Sequence, residues 1–281
     1  MAEVSKIEWC DSTQNFWLGC TKLSKACDNC YSEALNARYG WVEWGPHGIR
    51  KRTKTWGAPL GWQRNAGRFQ AEHGRRQRVF TCSLSDFFDN KAPKEWRDEA
   101  WTVIRDTPDL DWLILTKRPE NIRRFLPADW GSGYPNVWLG TTTEDQENFD
   151  RRWPKLAAIP AVVRFISYEP AVGPLRFPDT SSRDGRPDWT ISGGESGPGA
   201  RISDPQWFRD LRDDCRDYGS AYFFKQFGNY GSNAAVFERG LSKAEAERLD
   251  PKANGKGGAL LDGRLWREFP VTEAPSFRLS A

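Results

Sequence analysis

The stretch Trp112-Leu113-Ile114-Leu115-Thr116-Lys117-Arg118-Pro119 decides how this chain reads. Four consecutive apolar residues without polar alternation describe a strand covered on both faces, the habit of parallel sheets. The run then turns polar and meets a proline. Outward from it the same signature recurs at Phe16-Trp17-Leu18, Val79-Phe80-Thr81-Cys82, Val137-Trp138-Leu139, Val162-Val163-Arg164-Phe165-Ile166, Trp189-Thr190-Ile191 and Ala221-Tyr222-Phe223-Phe224. Helical patterns lie between several of them. Pro93 precedes Trp96, Ala100, Trp101 and Ile104 at helical spacing, and Asp204-Pro205 opens a face of Trp207, Phe208, Leu211, Cys215 and Tyr218 that Gly219 ends. Tyr31 to Tyr39 forms a further helix, ended by Gly40. Strands alternating with helices predict an α/β fold, an incomplete parallel (β/α) barrel, with a doubly wound open sheet as the alternative.

Two segments break the rhythm. Residues 40–78 read as a basic insertion within a first unit spanning 1–228. Residues 229–281, rich in glycine, asparagine and charge, read as a C-terminal appendage or lid on the same domain. Within it Asp262-Gly263 marks a small hairpin turn.

Composition narrows the function. Of 281 residues 38% are hydrophobic, which excludes wholesale disorder. No apolar run approaches the ~18 residues of a membrane span, and the N-terminus lacks a signal peptide's apolar stretch, so a cytoplasmic protein without membrane contact is expected. The net charge of +3 is too balanced to imply a partner. Two histidines, His47 and His73, argue against histidine-rich metal sites and Ser-His-Asp chemistry.

The chemistry concentrates after the strands, where parallel barrels build their sites. Cys20-x6-Cys27-x2-Cys30 follows the first strand: three thiolates in one loop can wrap a single metal centre. Structural zinc takes four ligands, whereas a three-cysteine iron–sulfur cube leaves one iron open. Cys10 is a possible fourth ligand; Cys82 and Cys215 read as core. Gly193-Gly194-Glu195-Ser196-Gly197-Pro198-Gly199 lets a ligand approach the backbone. Lys117, Arg118 and Lys225 bring cations to the same face, and Asp86, Glu144, Glu169 and Glu195 bring carboxylates, a combination suited to a zwitterionic ligand or to mutual ion pairing. Residues 40–78 carry nine cations against two carboxylates, a local +7 interleaved with Trp41, Trp44, Trp56, Trp62 and Phe69. That pairing of cations with aromatics suits phosphates and bases, so a nucleic acid or nucleotide is the expected substrate; a solvated basic loop is the plainer reading.

Taken together, Ile7-Glu8-Trp9-Cys10-Asp11, Gly19-Cys20-Thr21-Lys22, Cys27-Asp28-Asn29-Cys30-Tyr31, Ser83-x2-Asp86-Phe87-Phe88, Leu115-Thr116-Lys117-Arg118-Pro119, Ser167-x-Glu169-Pro170, Gly193-Gly194-Glu195-Ser196-Gly197, Phe224-Lys225-Gln226 and Asp262-Gly263-Arg264 resemble a phage and bacterial family of unknown function with a three-cysteine motif. That family is similar to radical S-adenosylmethionine enzymes. The resemblance implies a partial barrel of that type with a [4Fe-4S] cluster on Cys20, Cys27 and Cys30. It also implies S-adenosylmethionine as cofactor, an external electron donor and a 5′-deoxyadenosyl radical that takes hydrogen from the substrate. Under it, Ser83, Asp86, Lys117, Thr141, Gly193, Gly194 and Glu195 are expected to bind the cofactor, with Asp86 on the methionine amine. Tyr168, Glu169 and Lys225 are expected to act on the substrate. The chain departs from the usual radical-enzyme pattern in three places: besides the two that follow, Asn29 stands before the last cysteine, where an aromatic residue is common. The first cysteine gap is six residues rather than three, and Gly-Gly-Glu ends the sixth strand rather than the second. A zinc-stabilised nucleic-acid-binding protein without catalysis and a non-catalytic, partner-binding barrel are the alternatives.

Overall fold

The computed structural model describes residues 4–178, 185–197, 199–228, 238–242, 244–245, 248 and 258–272. In chain order the strands are β1 (Ser12–Gln14), β2 (Trp17–Leu18), β3 (Lys51–Arg52), β4 (Gln77–Thr81), β5 (Leu110–Thr116), β6 (Val137–Thr142), β7 (Val163–Tyr168), β8 (Trp189–Gly193), β9 (Ala221–Gln226), β10 (Leu260–Leu261) and β11 (Arg264–Leu265). The helices are α1 (Tyr31–Tyr39), α2 (Ala58–Arg64), α3 (Ala66–His73), α4 (Lys94–Arg105), α5 (Ile122–Phe125), α6 (Gln146–Ala157) and α7 (Pro205–Tyr218). Seven strands form one sheet in the order β1-β4-β5-β6-β7-β8-β9, every neighbouring pair parallel. The sheet curls into a half-barrel, as the sequence predicts for an incomplete barrel, and the open doubly wound order is not adopted.

The first barrel strand differs from the expectation. Phe16-Trp17-Leu18 does not join the sheet; Trp17 and Leu18 pair antiparallel with Arg52 and Lys51. The barrel strand is instead Ser12-Thr13-Gln14, paired with Val79, Phe80 and Thr81. All three residues are buried, but as polar side chains they carry no apolar run. Gln77 Nε2 donates to Ser12 Oγ, and Gln14 Nε2 to the Thr55 carbonyl, so hydrogen bonds hold these side chains there. Phe16 and Trp17 are apolar because they sit among Trp56, Phe87 and Trp112.

The pleat divides the core in two. Phe80, Leu113, Trp138, Val163, Phe165, Trp189, Ile191 and Phe223 fill the concave side with Trp9 and Cys10. Val79, Ile114, Leu139, Ile166, Tyr168, Tyr222 and Phe224 face the helices. Those helices are terminated as the sequence signals. Asp204 caps α7 by accepting the Gln206 amide hydrogen, and Gly219 leaves it with a left-handed φ of 69°. Gly40 does the same after α1 at φ 61°. The Asp262-Gly263 hairpin joins β10 to β11 with both residues at positive φ, 54° and 75°, the demand of a tight hairpin turn. The segment after it runs antiparallel to β9, with a bridge between Phe223 and Arg267. Residues 266–268 of the C-terminal appendage therefore lie along a sheet edge; residues 254–257 of its glycine-rich run and most of the expected lid lie outside the described residues.

Gly140 marks the tightest concave contact: a Cβ there would lie 2.3 Å from Cζ of Phe165. Overpacking of this kind costs about 1–3 kcal/mol. Gly140→Ala is expected to lower unfolding stability by about that amount, and Phe165→Leu to recover part of the loss in the double variant. Chemical denaturation of the cycle measures this; purely additive losses contradict the contact.

Candidate functional site

The polar strand ends converge on one cavity of about 420 Å3. On β7 the pleat can be followed directly: Val163 and Phe165 lie in the concave core, and Ser167 and the following Glu169 line the cavity above it. Tyr168 has the opposite parity. It is fully buried on the helix side, its hydroxyl donating to the Gly173 carbonyl and its ring against Phe208. The same parity removes Thr141, whose Oγ1 donates to the Thr116 carbonyl while Thr142 lines the cavity. Neither expected role survives that placement, because a one-residue step along a strand reverses the face.

Cys20, Cys27 and Cys30 all line this cavity, and none is in a disulfide or fully buried. Among the described residues no three His, Cys, Asp or Glu groups are gathered closely enough to hold a metal ion as they stand. Cys10 is not a fourth member: it lies in the concave core with its thiol donating to Ser5 Oγ and the Ile7 carbonyl. Cys215, on the buried face of α7, is core. Cys82 is also buried, but it lies on the cavity wall, at φ 59°.

Two ties hold the cysteine loop. At one end Arg118, after β5, donates to the Thr21 carbonyl at 3.0 Å and reaches Cys20 Sγ at 3.8 Å. Its other partner is Asp86 at 2.9 Å. Burial pushes the Cys20 thiol up to about 11, with the Asp86 carboxylate adding to the rise and Arg118 partly offsetting it. At the other end Glu195, from the glycine-rich loop, accepts from Asn29 Nδ2 at 2.9 Å. Arg201 closes this clasp, donating to Glu195 at 2.6 Å and to the Lys25 carbonyl at 2.8 Å.

A family model spans residues 4–270. The chain belongs to the family described as protein of unknown function (DUF5131). No curated protein and no solved structure matches it.

Within this DUF5131 chain several expected ligand contacts are committed internally. Asp86 accepts from Thr116 Oγ1, the Phe88 amide, the Lys117 amide and Arg118 at 2.7–3.0 Å. Those four donors fill the four acceptor positions of a carboxylate, leaving none for a ligand amine. Gly194 is required by a close approach within the protein: a Cβ there would lie 1.8 Å from the Phe227 carbonyl oxygen. Gly193 does not line the cavity; its carbonyl accepts from the Ala171 amide. Ser83, Lys117, Glu169 and Lys225 do line it. Ser83 Oγ accepts from Asn15 Nδ2, Tyr31 donates to the Ser83 carbonyl, and Lys225 and Glu169 form an ion pair. Arg201, Asn29 and Thr142 are the neighbours of the site that the sequence left unassigned. The polar turn after each strand signals such groups, but which ones meet depends on the curl.

The basic insertion is also largely spent. Arg50 is buried against Asp89, Arg52 pairs with Glu99 and stacks on Trp56, Arg75 pairs with Asp11, Arg76 with Asp111, and Arg78 lies over Phe269. Trp56 and Trp62 are core residues, Trp41 stacks on Tyr39, and Trp44 lines the cavity.

Glu195 yields a pH test. Burial alone would raise its carboxyl, but Arg201's side-chain and backbone hydrogen bonds, with Asn29's, hold it below the usual carboxylate range. A lowered folded value means a stabilising contribution present above the ordinary 4.5 and lost as pH falls through the folded value. Hydrogen-exchange protection of residues 24–30, corrected for intrinsic rates, is therefore expected to fall in acid. Glu195→Gln should lower protection at neutral pH and remove most of the acid step; an unchanged step assigns it elsewhere.

Proposed function

We propose that this chain is a radical S-adenosylmethionine enzyme acting on a nucleotide or nucleic acid, with Cys20, Cys27 and Cys30 as the ligands of a [4Fe-4S] cluster and an external donor supplying electrons. The observation that carries the reading is that three free, partly exposed cysteines meet the polar ends of parallel strands in one cavity. Its volume, about 420 Å3, is within the ordinary range for small-molecule and cofactor sites. The donor set fits the group: three thiols with neither histidine nearby and Cys10 withdrawn into the core suit iron–sulfur better than four-coordinate zinc. When bound, the cluster and its cofactor supply a 5′-deoxyadenosyl radical for hydrogen abstraction.

The chain's own residues position and screen. Arg118 places a cation beside Cys20, which favours the thiolate that ligation needs. Asp86 orients Arg118 rather than meeting a ligand amine. Glu195 holds the Asn29 side chain between Cys27 and Cys30, and Arg201 holds the Lys25 carbonyl just ahead of Cys27. Glu169 and Lys225, paired with one another and facing the cavity, offer a carboxylate and an ammonium to the two ends of a zwitterion. Because five cations of the basic insertion are bound internally, the insertion alone does not account for recognition of a polyanion.

Anaerobic reconstitution is expected to give brown protein with about four irons per chain. Serine at Cys20, Cys27 or Cys30 should largely abolish uptake, and Cys215→Ser should leave it intact. The reduced protein should cleave S-adenosylmethionine to 5′-deoxyadenosine, and Lys225→Ala should weaken cofactor binding while sparing iron content. Colourless protein with one zinc overturns the proposal.

A further inference from the structure

Beside the main cavity lies a second recess of about 80 Å3, lined by Leu23, Lys117, Glu120, Arg151, Arg152 and Lys155. Lys117 lines both spaces, so the recess adjoins the cysteine cavity. Three of its cations come from α6, on successive turns of one helix, and the fourth from the end of β5. Four cations face one carboxylate, Glu120. Lys117 and Lys155 form no ion pair among the described residues, and Arg151 is bonded only to the neutral Asn148 side chain.

Arg152 is the informative member. It is almost wholly buried, 2% exposed, and its Nη1 donates to Glu144 Oε2 at 2.6 Å and to the Thr142 carbonyl at 2.8 Å. Its Nη2 is also buried, yet it has no hydrogen-bond partner. Buried guanidinium hydrogens are normally satisfied, since leaving one unmet forfeits its hydration without return. An unmet donor on a residue lining a cationic recess points to a ligand that supplies oxygens.

We propose that this recess binds a phosphate group, and specifically the phosphate of a substrate whose reacting part lies in the main cavity. The second half of that statement rests on the function proposed above. The space is too small for a base or sugar, so only the anion enters it. A tetrahedral oxyanion presents several acceptor oxygens and matches donors from separate directions: two lysine point charges, the Arg151 guanidinium and the unmet Nη2 of Arg152. A single carboxylate would use one fork and leave the remaining cations repelling one another. Glu144 and Arg152 neutralise one another, so Lys117, Arg151 and Lys155 carry the excess charge over Glu120; Glu144 Oε1, like Arg152 Nη2, is buried without a partner.

The test uses the full chain without cluster or cofactor. Inorganic phosphate, a nucleoside 5′-monophosphate and the same nucleoside without phosphate are titrated at constant ionic strength by calorimetry. Phosphate is expected to bind, the monophosphate to bind more tightly, and the bare nucleoside to bind at least about tenfold more weakly than the monophosphate. Arg151→Ala with Lys155→Ala, both exposed positions, should weaken the monophosphate about tenfold or more, while Lys94→Ala on the remote α4 changes nothing. Arg152→Lys, which keeps the charge beside Glu144 but deletes the fork, should also weaken it; if that variant does not fold, the exposed pair decides. Competition by single-stranded DNA or RNA oligonucleotides assigns the phosphate to a polymer, and lack of competition to a mononucleotide. No phosphate binding, or equal affinity in the Arg151/Lys155 double variant, or an equal loss in Lys94→Ala, overturns the proposal. None of these readings needs iron, so a failure here and a failure of the iron–sulfur assignment are told apart.

Discussion

A parallel sheet buried on both faces leaves polar side chains one place to gather, the ends of its strands. That constraint organises this molecule. Seven strands run the same way, the concave face is filled by Trp138, Trp189 and their neighbours, and the convex face is sealed by helices. The groups capable of chemistry therefore appear where β4 through β9 end. The two parities then sort themselves. Ser167, Glu169 and Lys225 reach the cavity, while Tyr168 and Thr141 are spent on backbone carbonyls behind the sheet.

Above that rim the cysteine loop has little secondary structure of its own, a single 3-10 turn over Lys25–Cys27. Its position comes from charge. Arg118 grips it near Cys20 and is itself held by a carboxylate whose acceptors are all engaged. Glu195 and Arg201 grip it near Asn29. These residues carry opposite charges on the loops that follow β4, β5 and β8, and they bring distant parts of the chain to one small volume.

Much of this was legible before any coordinates. The apolar runs located six of the seven sheet strands, the proline, aspartate and glycine punctuation located α4, α7, α1 and the final hairpin, and the cysteine loop falls on the cavity wall. Three things were not legible, each for a physical reason. Ser12-Thr13-Gln14 is a strand made of hydrogen-bonded polar residues, and a pattern of hydrophobicity cannot register it. Uniformly apolar strands carry no alternation, so nothing in Val137-Trp138-Leu139 announces whether Thr141 or Thr142 faces inward. Net charge counts residues without their partners. Arg50 is neutralised by Asp89 and Arg75 by Asp11, partners that fold rather than sequence brings near.

The clasp between Asn29 and Glu195 has a thermodynamic corollary. It fastens the cysteine loop to the glycine-rich loop after β8, which belongs to another part of the cavity wall. Two segments joined in this way cannot adjust independently. By linkage, whatever favours one arrangement of the first loop through this contact favours the matching arrangement of the second, and the influence runs equally in both directions. The two walls thus form one mechanical unit, in which order at the thiols and order at the glycine-rich turn rise and fall together.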